Sequence, residues 1–143
     1  MADVTVTAAN VARVTGSSTF GNDTQIDNGF AGAAITAGQS VYKDSAGVYQ
    51  LTDANLSAAA GVAVGIALNS APASGQPIAV AIGGTLNPGF TVTVGTIYVP
   101  SATAGGIAPS ADLVTGWRTA IIGLGITSTN LKLVMISGGV AVP

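Results

Sequence analysis

Histidine, cysteine and glutamate are absent from this 143-residue chain. Without cysteine there is no disulfide and no thiolate chemistry. Without histidine, imidazole general-base catalysis and the usual His/Cys zinc sites are excluded. Charge is scarce. The six acids are Asp3, Asp23, Asp27, Asp44, Asp53 and Asp112, and the four bases are Arg13, Lys43, Arg118 and Lys132. Charged residues make up 7% of the chain, against roughly 25% in an ordinary soluble domain. Residues 54–111 carry no charge at all. A net charge of −2 and a pI near 4.4 leave no electrostatic footprint for nucleic acid. They also oppose docking on an anionic membrane. Long apolar runs are missing too. The best, Ala54 to Leu68, is broken by Gly61 and Gly65 and falls short of the about 20 residues of a spanning helix. Met1 to Val14 lacks the basic start and apolar core of a signal peptide. A soluble, unexported chain is expected, with no membrane partner.

What is present is apolar. Hydrophobic residues make up 48% and the mean hydropathy is +0.60, which opposes disorder. A small domain ordinarily needs surface charge to stay soluble and monomeric. Here the scarcity points to surface reserved for neighbours, and so to assembly.

The residue choice favours strands. Thr and Val are frequent and the strong helix formers are few. Val4-Thr5-Val6-Thr7, Ile78-Ala79-Val80-Ala81-Ile82 and Phe90-Thr91-Val92-Thr93-Val94 each alternate with the period of a strand. Gly and Pro punctuate at short intervals, as in an all-β sandwich or barrel. The Ala-rich stretch after Asp53 reads either as a short helix, N-capped by Asp53 and ended by Gly61, or as an irregular link.

Residues 1–30 read as an extended N-terminal arm, with one edge strand from Val4 to Val14 and a polar loop after it. Unpaired backbone in such an arm can add to a sheet edge. Its partner is open among another protein, a sister subunit and its own barrel. Residues 31–143 read as one β-domain built from two pseudo-repeats, about 33–84 and 90–139. Ile35-Thr36-Ala37-Gly38-Gln39-Ser40-Val41-Tyr42 is matched by Val92-Thr93-Val94-Gly95-Thr96-Ile97-Tyr98. Val64-Gly65-Ile66-Ala67-Leu68 is matched by Ile122-Gly123-Leu124-Gly125-Ile126, and Val80-Ala81-Ile82-Gly83-Gly84 by Val134-Met135-Ile136-Ser137-Gly138-Gly139. One half alone cannot cover its apolar face, so the two are expected to share a core.

Motifs for chemistry are weak. Asp23, Gln25, Asp27 and Gly29 imitate a calcium loop, but the position of its bidentate acid falls on Ala34. A polar Asx turn explains them better. Gly123-Leu124-Gly125 lacks the third glycine of a dinucleotide fingerprint and reads as a strand with close backbone approach. Scattered Asp pairs resemble solubilising turn residues more than a glycosidase pair. No catalytic, metal or cofactor site and no small-molecule substrate is expected. The candidate residues are those of an interface: Val4, Val6, Val11 and Arg13 on the arm strand, Phe20 and Phe30 in its polar part, and the pair Trp117–Arg118. Large aromatics and Arg anchor interfaces, although Trp117 could equally cap the end of a barrel while Arg118 stays wet.

The run Ala33 to Tyr42, then Gly65-Ile66-Ala67-Leu68, Gly75-Gln76-Pro77-Ile78-Ala79-Val80 and Gly84-Thr85, resembles the capsid decoration (cement) proteins of tailed bacteriophages. Gly95 to Tyr98, Ala104-Gly105-Gly106-Ile107-Ala108-Pro109 and Ile122-Gly123 continue the resemblance over nearly the whole chain. It implies a small β-barrel or β-tulip-like domain on the outer surface of the virion head, made in the host cytoplasm and typically a homotrimer. Its work would be to clamp neighbouring major capsid protein subunits without catalysis. The alternative is a tail-tip or fibre-associated β-domain that binds a host surface, which the low aromatic content disfavours.

Overall fold

The computed structural model describes residues 3–14, 23–54, 61–113 and 115–141, with the backbone alone at 118, 119 and 137–141. The chain is all-β. Its strands are β1 (Val11–Arg13), β2 (Gln25–Phe30), β3 (Ser40–Lys43), β4 (Tyr49–Leu51), β5 (Gly65–Ala67), β6 (Pro77–Pro88), β7 (Ile97–Pro100), β8 (Ile107–Pro109), β9 (Arg118–Gly125) and β10 (Leu131–Ala141). They form a curled antiparallel sheet in the order β4-β3-β5-β6-β10-β9-β7-β8, with β1 and β2 also paired to β6. Among the described residues the helical pieces are two 3-10 turns, Ala8–Asn10 and Ser110–Asp112.

Strand β6 organises the sheet. In its first part, Ala81 stands between Ile26 of β2 and Ile66 of β5. Further on, Leu86 stands between Arg13 of β1 and Leu131 of β10. The exchange of partners falls at Gly83-Gly84. Gly84 has φ +76, and a Cβ there would overlap the carbonyl oxygen of Asp23. Only glycine meets both conditions without strain. Alternation along β6 sends Val80 to one core and Ala81 to another, which is why the strand is apolar on both faces.

The same pairing scheme occurs twice. Strand β3 pairs with β4 through Val41↔Leu51 and Tyr42↔Gln50, and with β5 through Ser40↔Ile66. Strand β7 pairs with β8 through Tyr98↔Pro109 and Val99↔Ala108, and with β9 through Ile97↔Leu124. The turns that lead in also correspond. The Gly38 N–H donates to Ala67 O, and the Ala67 N–H to Gln39 O; the Gly95 N–H donates to Gly125 O, and the Gly125 N–H to Thr96 O. The two sets join at β6–β10. Their far ends meet as well, where the Ser40 N–H donates to Gly105 O at 3.0 Å and the Gly105 N–H to Thr52 O at 2.8 Å. Buried Ser40 and Thr52 share a hydroxyl hydrogen bond at this seam.

Two cores result. The main one holds Phe90, Val92, Tyr98, Ile107 and Ile122 with Ile66 from the other half. Phe90 and Tyr98 pack ring to ring with centroids 5.1 Å apart and planes tilted by 57°. The second holds Ile35, Val41, Tyr49, Ala67, Ile78 and Val80.

Two segments expected as strands are not. Residues 90–94 alternate as predicted, with Phe90 and Val92 buried and Thr91, Thr93 and Val94 exposed, but among the described residues they pair with no strand. Gly89 and Gly95 turn the chain at either end with φ +83 each. The backbone is tied instead by bonds from the Val92 N–H to Ser128 O at 2.9 Å, from the Thr93 N–H to the Tyr98 hydroxyl at 3.0 Å and from the Thr96 N–H to Thr93 O at 3.1 Å. In the first segment the expected strand from Val4 to Val14 shrinks to β1, because the 3-10 turn Ala8–Asn10 interrupts it. Val4 and Val6 are half-buried, and Thr5 and Thr7 are exposed. The expected helix or link after Asp53 falls at 55–60, outside the described residues.

Candidate interaction surface

The described N-terminal residues lie on the chain's own sheet. The Val4 N–H donates to Ile107 O on the edge strand β8 at 2.9 Å, and the Thr7 N–H donates to Gly89 O at 2.8 Å. The Ser101 hydroxyl donates to the Asp3 carboxylate at 2.7 Å. Val4, Val6 and Val11 pack against the main core. Thr24 fixes the next turn: its hydroxyl accepts from the Val14 N–H at 2.7 Å and donates to Thr85 O. Strand β2 then pairs with β6 over six positions, Gln25 to Phe30. The candidate interface residues therefore separate. Val4, Val6 and Val11 are spent on the chain's own core, while Arg13 is exposed on β1. Phe30 is 56% exposed at the end of β2. Trp117 is half-buried just before β9. The Arg118 side chain and the whole of Phe20 lie outside the described residues.

Gln25, Asp27 and Gly29, read from the sequence as part of a polar Asx turn, lie in strand β2 instead, where pairing with β6 extends the backbone. Asp27, on β2, accepts from the Tyr49 hydroxyl and from Lys43 Nζ at 3.4 Å. Lys43 Nζ also stands 5.2 Å from the centre of the Tyr49 ring. The Tyr49 hydrogen bond, aided by Lys43, holds the Asp27 carboxyl below its ordinary range against the opposing effect of burial. Burial, then Asp27, push the Tyr49 hydroxyl above its ordinary value. The Lys43–Asp27 pair is solvated on both sides, so it adds little by itself. The cluster ties β2 to the β3–β4 hairpin. Among the described residues no group of three or more acids is placed to hold a metal ion, and no helix is long and apolar enough to cross a membrane.

An apolar hollow of about 360 Å³ opens on the outer side of β7, β9 and β10. Ile97, Val99, Leu113, Ala120, Ile121 and Ile136 line it. Ile136 is 53% exposed. Leu124, opposite Ile97 in the ladder and 38% exposed, extends the strip. Cross-strand neighbours on one face act as a unit, so this is a contiguous apolar surface rather than isolated side chains. The turn Ser110–Asp112 stands at its margin. Asp112 is buried with both carboxylate oxygens lacking a hydrogen-bond partner among the described residues, a costly arrangement.

Sequence reasoning missed this strip. The available signal was Ala120-Ile121-Ile122, consecutive apolar residues within one strand, which places apolar side chains on both faces of the sheet. No protein-family model, no characterised protein and no solved structure matches the chain.

Proposed function

We propose that this chain is a structural virion protein that binds the outer surface of a phage head as a homotrimer and clamps neighbouring major capsid protein subunits. In this reading the chain comprises two pseudo-repeats, 33–84 and 90–139, and has no catalytic activity. The observation that carries it is the apolar strip of Ile97, Leu124, Ile121 and Ile136, open on the outside of a sheet whose other face is core. A contiguous apolar face on a chain with so few charges is a surface for neighbours. The arm contributes less to contacts than the sequence alone implies, because its valines pack inward.

Mixing the purified protein with undecorated, expanded heads and pelleting the particles tests the proposal. The protein is expected in the pellet. Its complete retention in the supernatant beside intact heads would refute the cement role. Ile136→Asp is expected to keep the fold and to weaken co-pelleting by about tenfold or more, as for a truncated anchor.

A further inference from the structure

A second hollow, of about 400 Å³, lies where three separate segments meet, residues 5–10, 87–91 and 128–129. Its character is opposite to that of the apolar strip. Thr5, Thr7, Asn10, Asn87, Thr91 and Ser128 line it, all neutral hydrogen-bonding side chains, and among the described residues no charged one does. Among the described residues, the hydroxyls of Thr5, Thr7, Thr91 and Ser128 and the amide of Asn10 engage no other side chain or backbone group. Asn87 uses only its carbonyl oxygen, which accepts from the Gly89 N–H at 3.1 Å.

The segments are held in place through their backbones. The Thr7 N–H donates to Gly89 O at 2.8 Å, the Asn10 N–H to Thr7 O at 2.9 Å, and the Val92 N–H to Ser128 O at 2.9 Å. Gly89 allows this approach: its φ is +83, and a Cβ there would stand 2.7 Å from Thr7 O. Phe90 stands beneath the hollow with its side chain buried in the main core against Tyr98.

From this we infer a binding site for a neutral saccharide. Unengaged hydroxyls and amides on short side chains offer donors and acceptors together and lose little rotamer freedom on binding. That set matches the vicinal hydroxyls of a sugar. Without a cation or a carboxylate, the site has nothing to compensate the desolvation of an ionic ligand. The volume falls within the range of small-molecule sites and suits a short saccharide. The site is separate from the apolar strip, so it stands or falls independently of the capsid role.

The test is amide-resolved NMR titration of the full chain with glucose, galactose, N-acetylglucosamine and maltose, and with glucuronate as the charged comparison. At least one neutral sugar is expected to bind saturably with a Kd on the order of 1 mM. The shifts should concentrate at residues 5–10, 87–91 and 128–129. The double variant Thr91→Val, Ser128→Ala removes two hydroxyls at nearly constant shape and should weaken binding by about fivefold or more. Its unchanged spectrum elsewhere will show that the fold is intact. No saturable shifts with any neutral sugar, shifts centred outside the three segments, undiminished binding by the folded double variant, or binding of glucuronate as tight as that of the neutral sugars would each overturn the inference.

Discussion

Strands β3 to β6 and β7 to β10 share one pairing scheme, yet the backs of the two sets have opposite fates. Ile66 pairs with Ser40 on one side and Ala81 on the other. Leu124 occupies the corresponding place, between Ile97 and Lys132. Ile66, Ser40 and Ala81 are each 0% exposed: Ile66 and Ala81 share the main core with the second set, and Ser40 is bonded to Thr52 and to Gly106 O at the seam. Leu124 and Ile97 are each 38% exposed, and among the described residues no further layer is stacked on them. The fronts correspond more closely. Ile35, Val41 and Tyr49 fill the second core as Val92, Tyr98 and Ile107 fill the main one. An apolar strand face is therefore not core by composition. It becomes core only where another layer is stacked on it.

The strongest way to break this comparison is to truncate the corresponding residues. Ile66→Ala should cost about 2–5 kcal/mol of unfolding free energy, the usual range for emptying a fully buried aliphatic site. Leu124→Ala should cost about 1 kcal/mol or less, since much of its surface is already wet. Urea denaturation of both variants measures the difference. Equal losses would mean that the outer face of β9 is as tightly packed as that of β5.

A smaller effect probes the joint between the two sets. Gly84→Ala forces a Cβ onto a left-handed residue and against the Asp23 carbonyl. The expected loss is about 1–3 kcal/mol, read by thermal or urea denaturation. A neutral outcome would show that β6 can exchange partners without a glycine.

The smallest effect concerns the tie between β2 and the β3–β4 hairpin. The Asp27 carboxyl is held below its ordinary value of 3.8 in the folded chain. Its contribution to stability is therefore present above that value and fades as pH falls from there through the lowered one. Asp27→Asn should flatten the acid limb of a plot of Tm against pH and leave the slope near neutrality unchanged. An acid limb as steep as in the parent protein would assign that limb to other carboxylates.

Much of the fold was legible locally. The alternation at Ile78–Ile82 became the first half of β6, and Gly123-Leu124-Gly125 became a closely approached strand, where a Cβ on Gly125 would overlap the Thr93 carbonyl. The alternation at 90–94 misled, because it records which side chains turn inward and not whether the backbone finds a partner. The arm's partner stayed open in the sequence for a related reason. Val4, Val6 and Val11 present an apolar edge, but nothing local indicates that the surface nearest to them is their own main core. Among the candidate interface residues Phe30 stands out at the surface, whereas the strip around Ile97, Ile121 and Ile136 needed the sheet order to appear.

The sequence by itself determined the class of fold and the poverty of chemistry. Period-two alternation and Gly/Pro punctuation act over a few residues, and missing residue types need no structure to be missing. The tertiary structure alone decided which apolar face is covered, where β6 changes partners, and which neutral side chains converge on one hollow. Those depend on contacts between segments far apart in the chain, such as Ile66 with Tyr98 or Thr7 with Gly89. A local pattern can supply the surfaces for such contacts but not choose among them.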